Sequence, residues 1–128
     1  YSTTMALSNE EKAARRRIKA ASLLRERQTL AKCIQVTEQK LMQNGALVLN
    51  LNDILKKHID DVTQANIIKN ASLAKNASDA AANASQQLEM YKQKQQNMSN
   101  VLNIYKHNAR CVESDIRFLT YIIASHTV

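Results

Sequence analysis

Four triplets in this sequence spell an acceptor for an N-linked glycan: Asn70-Ala71-Ser72, Asn76-Ala77-Ser78, Asn83-Ala84-Ser85 and Asn97-Met98-Ser99. That chemistry needs entry to a secretory pathway and an accessible loop, and neither is visible around these triplets. Other groups able to do chemistry are sparse. The histidines, His58, His107 and His126, stand too far apart to form a helical metal pair at i, i+4, and Cys33 and Cys111 belong to no C-x-x-C motif. Asp60 and Asp61 are adjacent, so a helix directs them to different faces. No nucleophile–base pair and no glycine-rich phosphate loop occurs. The expectation is a non-enzymatic protein with no metal, cofactor or small-molecule substrate.

The remaining candidate for binding chemistry is charge. Residues 1–43 hold nine Lys and Arg against four Asp and Glu, residues 44–70 three against three, and residues 71–128 six against four. The net charge of +7 is therefore concentrated in the segment Glu10 to Arg27, "EEKAARRRIKAASLLRER". Lys12, Arg15, Arg16, Arg17, Lys19 and Arg25 are the candidate residues for an anionic partner, which an acidic protein surface, nucleic-acid phosphate or anionic lipid could supply. Arg17-Ile18-Lys19-Ala20-Ala21 with Arg25 resembles part of the basic region of leucine-zipper transcription factors, over about 20 residues. The resemblance implies DNA binding. The sequence departs from that pattern where Arg17 stands in place of the base-reading Asn and Leu24 in place of Ser or Cys. Its first seam residue is also one position out of phase, so membership of that family is not inferred.

What would position these residues is helix. The 128 residues include no Pro, no Trp, one Gly and one Phe, too few turn formers and aromatics for an ordinary globular domain. Ser8-Asn9-Glu10-Glu11 reads as a capping box that starts a helix. Leu30, Ile34, Leu41, Val48, Leu51, Leu55, Val62 and Ala65 then share one seam with spacings of three, four or seven, which also holds Arg27, Thr37, Asn44 and His58. The seam keeps phase through Asn44-Gly45, the strongest turn signal in the chain, and this mildly favours a helix that runs through it.

A second seam runs Ala77, Ala81, Ala84, Leu88, Tyr91, Gln95, Met98, Leu102, Tyr105, Ala109, Val112, Ile116, Leu119, Ile123. The two are out of step by one residue, so the register changes between about Ile67 and Ala77, where Asn and Ser side chains compete with helix. Gln95 is the lone polar residue of the second seam and reads as a device that fixes register. The central glutamine layer of a vesicle-fusion SNARE helix is similar. Leu88, Tyr91, Met98, Leu102, Tyr105, Val112, Ile116 and Leu119 are the candidate residues of a protein interface.

These patterns predict an all-α fold of two or three long helices forming a coiled coil or elongated helical bundle, with candidate breaks at 44–45 and 70–76. Residues 8–128 form a single domain in this reading. Residues 1–7 are a disordered lead, or Tyr1 to Thr4 an expression remnant ahead of Met5. A helix from Ala77 to Ala124 would extend about 72 Å, more than this chain alone can cover with a core. Cover would come from its own first helix folded back, a second copy or other subunits. If it folds back as a hairpin, Cys33 opposite Cys111 puts the apex at Ser72. No run of apolar residues reaches membrane-spanning length. Two cysteines without a disulfide framework suggest a reducing intracellular compartment, cytoplasmic or nuclear. The function these features suggest is a structural subunit of a larger protein assembly whose basic first helix docks an acidic surface. The alternative is a basic helical nucleic-acid-binding or packaging protein.

Overall fold

The structure, a computed structural model, describes residues 7–126. Residues 1–6, most of the expected lead, lie outside the described residues. Two helices account for nearly all the rest, α1 over Asn9–Ile67 and α2 over Ala71–His126. Helix α1 starts where the capping pattern places it: the Glu11 amide donates to Ser8 Oγ at 3.1 Å, and the Lys12 amide to the Ser8 carbonyl at 3.0 Å. Glu10 and Glu11 lie in the first turn, where carboxylates favour the helix dipole. Among the described residues no helix is long and apolar enough to cross a membrane.

Asn44-Gly45 is not a break. Helix α1 continues through both, and Gly45 does not have a positive φ. The chain turns instead at Ile68–Asn70, before most of the 70–76 window, and helix resumes at Ala71 and runs through Asn76. The turn is closed by two hydrogen bonds, from the Asn70 amide to the Ala65 carbonyl at 3.0 Å and from the Lys69 amide to the Asn66 carbonyl at 3.1 Å. This pair is the Schellman pattern, with Lys69 at the left-handed position, φ 57°. Asn70 then caps α2, its Oδ1 accepting from the Leu73 amide at 3.1 Å and its carbonyl from the Ala74 amide at 3.0 Å. So the Asn of the first Asn-Ala-Ser triplet ends one helix and begins the next. Asn76, Asn83 and Asn97 lie exposed within α2.

A side chain with a Cβ is disfavoured at the left-handed position, by roughly 1 kcal/mol. Lys69→Gly is therefore expected to raise stability by about 0.5–1 kcal/mol, read as a higher urea midpoint with an unchanged slope. A midpoint that falls would mean that Lys69 makes a stabilising contact outweighing its backbone strain.

The chain divides into two units. In the unit Thr37–Leu102, which holds the turn, the two helices run antiparallel and enclose Asn44, Ala65, Ala84, Leu88 and Leu102. In the other unit, α1 up to Val36 packs against α2 from Asn103, enclosing Leu23 and Val112, with Arg27 Nη1 3.6 Å from Glu113 Oε2. The seams predicted from spacing are the packed faces. All fourteen residues of the second seam are buried or half-buried, and of the twelve residues on the first only Arg27, which meets Glu113, is exposed.

The core is nevertheless thin. Among the described residues six apolar side chains are buried and sixteen large ones are exposed. The chain leaves 9979 Å² accessible, against about 6,800 Å² for a typical folded monomer of its 14.4 kDa.

Cys33 is half-buried, Cys111 is exposed, and both thiols are free. The expected apex at Ser72 is three residues beyond the observed turn centre at Lys69. In the unit that holds both cysteines, Arg27 meets Glu113, so facing residue numbers sum to about 140 and not 144, and Cys33 and Cys111 are offset by about one helical turn. Cys111 Sγ instead lies 3.7 Å from His107 Nε2, one turn back on α2.

Candidate protein-interaction site

Two places combine unusual residues with defined geometry. The first is a polar layer inside the Thr37–Leu102 unit. Asn44 is the one buried polar residue among those described. Its Nδ2 donates to Gln95 Oε1 at 2.7 Å and to the Tyr91 carbonyl at 3.0 Å. Gln95 is the lone polar residue of its seam and Asn44 one of four on its own, and the fold brings the two together. No buried side-chain nitrogen or oxygen among the described residues lacks a partner, so the layer specifies alignment without leaving an unsatisfied group.

Gly45 sits beside this layer. A Cβ built there would stand 3.7 Å from Gln95 Nε2, an ordinary van der Waals distance. The glycine therefore contributes only helix-interior entropy loss, and Gly45→Ala is expected to stabilise α1 by about 0.5–1 kcal/mol. Thermal melts followed at 222 nm would check this, and a destabilised variant would mean that Gln95 needs the space.

The second place is at the start of α1 and the end of α2. Arg15, Arg16 and Lys19 face Asp115, Phe118 and Ile122 across a groove of about 390 Å³, floored by Leu23 and Leu119. Among the described residues no ion pair holds the three cations. Phe118 is 65% exposed and Ile122 half-buried. The groove is thus apolar below and cationic on one wall.

The residues singled out from sequence distribute unevenly over these features. Leu88, Leu102 and Val112 are buried within the chain itself, so their apolar surface is already covered. Tyr91, Met98, Tyr105, Ile116 and Leu119 are half-buried. Lys12, Arg15, Arg17, Lys19 and Arg25 are exposed and Arg16 is half-buried. Of these, Arg15, Arg16 and Lys19 share the groove.

Phe118, Ile122 and Asp115 were not apparent as site residues, because they flank the seam instead of lying on it. A weak signal exists: Ile104, Cys111 and Phe118 recur every seven residues, as do Asp115 and Ile122. The His107–Cys111 pair was also missed, since only His–His spacings stood out. No third His, Cys, Asp or Glu joins that pair in a metal-binding group among the described residues.

No family model, curated protein or solved structure matches this chain. The functional reading therefore rests on these two places and on the exposed apolar surface.

Proposed function

We propose that the chain is a structural coiled-coil subunit of a larger protein assembly, whose basic first helix docks an acidic partner surface. The observation that carries this reading is the imbalance between four buried large apolar side chains, Leu23, Leu88, Leu102 and Val112, and sixteen exposed ones among the described residues. Scattered exposed Leu and Ile are normal on any protein. An exposed set of sixteen large apolar side chains beside so small a core is not, and apolar surface in excess of a few scattered residues marks association sites. Phe118, Tyr121, Ile104, Met42, Leu49 and Ile18 are each more than half exposed, and burial of each on association is favourable in proportion to area. Two packed helices also present flanks on which further helices lie at low steric cost, which is how helical bundles grow.

The polar pair Asn44–Gln95 suits such a subunit. Buried amides at seam positions select register and partner number at some loss of stability, which matters more to a scaffold than to a catalyst. A nucleic-acid-binding or packaging role is the second reading, and it draws on the exposed Lys12, Arg15, Arg17, Lys19 and Arg25. That reading makes no use of the exposed apolar side chains. It also requires affinity to fall steeply with salt, with a log–log slope near −0.9 per phosphate neutralised.

The test is light scattering of the purified chain over a range of concentrations, beside circular dichroism. A strongly helical chain that forms dimers or larger species, little affected by moderate salt, is the expected result. A well-behaved helical monomer at tens of micromolar, with no gain in size on adding protein partners, would sink the assembly reading.

A further inference from the structure

We propose that the groove formed by the start of α1 and the end of α2 receives one helix of an acidic amphipathic protein segment, whose apolar face covers Phe118 and Ile122 while its carboxylates meet Arg15, Arg16 and Lys19. The proposal rests on the reading of the chain as an assembly subunit and names where, and by what chemistry, the acidic partner is held.

The geometry suits a helix. Arg15 and Lys19 are four apart on α1, and Phe118 and Ile122 four apart on α2, so each pair forms a ridge along one side of the groove. A third helix laid between two such ridges presents residues at i, i+3 or i+4, and i+7. The lining covers about two turns of each helix, which fits an anchor of two or three apolar residues.

Charge chooses the sign of the partner. Three cations within five residues of α1 repel one another, and among the described residues no carboxylate pairs with them. Acidic residues on the incoming helix relieve that repulsion.

Charge also chooses its direction. The Arg27–Glu113 contact marks which residues of the two helices face each other in this unit, and in that alignment Asp115 lies nearly three turns further into the unit than Arg15. The partner's carboxylates belong at the Arg15 end and any Lys or Arg at the Asp115 end.

Nucleic acid is the less suitable occupant. Phosphates would use the cations, but Phe118 is the one aromatic ring in the lining, and Leu23, Leu119 and Ile122 beside it are aliphatic and offer no further platform for stacked bases.

The experiment uses the full chain and fluorescent helical peptides of about 18 residues, five turns. One carries a Leu/Ile stripe with a Glu-rich polar face, the second the same stripe with Lys, and the third the Glu face with Ser in place of the stripe. A mixed-sequence single-stranded oligonucleotide is the fourth probe. Anisotropy should report binding of the first peptide and at least tenfold weaker binding of the second and third. Reversing Arg15, Arg16 and Lys19 to Glu together should weaken the first peptide by tenfold or more. Phe118→Ser should weaken it by about tenfold, while leaving oligonucleotide binding and the helical signal unchanged, because Phe118 is exposed. Equal binding of the Glu and Lys peptides, or indifference of the first peptide to Phe118→Ser, overturns the proposal. So does an oligonucleotide that binds and displaces nothing while the acidic peptide fails to bind, which assigns the cations to nucleic acid. Light scattering on the same samples separates the two levels of the reading. A chain that associates yet ignores the acidic peptide overturns this groove alone. A chain that binds the peptide as a monomer supports the groove and removes self-association from the wider reading.

Discussion

Leu102→Asp is expected to unfold the helix pair and not merely weaken it. Leu102 is 8% exposed and packs where the core holds few other apolar side chains. The substitution removes a buried isobutyl group, which costs about 2–5 kcal/mol when truncated in a core, and leaves an unpaired carboxylate in its place. A chain of this size has about 5–15 kcal/mol of stability in all, and the thin core puts this one at the low end. Ile116, half-buried, should lose about half as much when changed to Asp. Gln93 is exposed, with its amide donating to Asn97 Oδ1 on the next turn at 3.1 Å, so Gln93→Asp should move stability by no more than about 0.5 kcal/mol. Urea unfolding at 222 nm would rank the three. Equal losses at Leu102, Ile116 and Gln93 would mean that the packed face has been misidentified.

The polar layer carries the second large effect, and its sign depends on how many residues are changed. Gln95→Leu strands the Asn44 amide with only the Tyr91 carbonyl as acceptor. Asn44→Leu takes away the donor that Gln95 Oε1 accepts from. Each single change is expected to destabilise by about 1–3 kcal/mol, the range for leaving one member of a buried hydrogen bond unsatisfied. The double change removes both partners, and apolar replacement of a whole pair is close to neutral or stabilising. The four forms make a double-mutant cycle with a coupling of about 1–2 kcal/mol. Light scattering supplies the other half: the double variant should show a broader range of association states, because nothing polar then opposes a shifted alignment. Additive single effects would show that the 2.7 Å contact contributes nothing to stability.

Helical class and packed face were legible because both rest on repetition. Ala84, Leu88, Leu102 and Val112 are four of the seven most buried residues, and all four belong to the three–four repeat that spacing alone picks out. The turn was legible only as a change of register. Its left-handed residue is Lys69, and lysine gives no local sign of that conformation. The clearest local turn signal, Asn44-Gly45, lies in mid-helix, since tertiary packing of Asn44 overrides a local preference worth about 1 kcal/mol. Gln95 stood out as the one polar residue of its seam and Asn44 was one of four on the other, but their pairing depends on where the chain reverses, and an apex three residues too late separates them. The groove was illegible for another reason. A search for one seam per helix passes over Phe118 and Ile122, which lie beside that seam and complete a surface with Arg15 and Lys19 from about a hundred residues away.

The turn and the polar layer together constrain how this chain can change in length. Asn70 closes α1 and opens α2, so the connection has no spare residue to absorb an insertion. Asn44 and Gln95 lie 51 positions apart across that connection. One residue added to a helix between them rotates all that follows by about 100° and advances it by about 1.5 Å, which takes one amide off the other's face. Two full turns come to about seven residues, so seven added to one arm restores the face but leaves the amides a little over 10 Å apart along the axis. Only equal additions to both arms, in steps of seven, return Asn44 to Gln95. Insertions and deletions within this stretch are therefore compatible with the fold chiefly as matched pairs, while substitutions on its exposed positions are not bound by that rule.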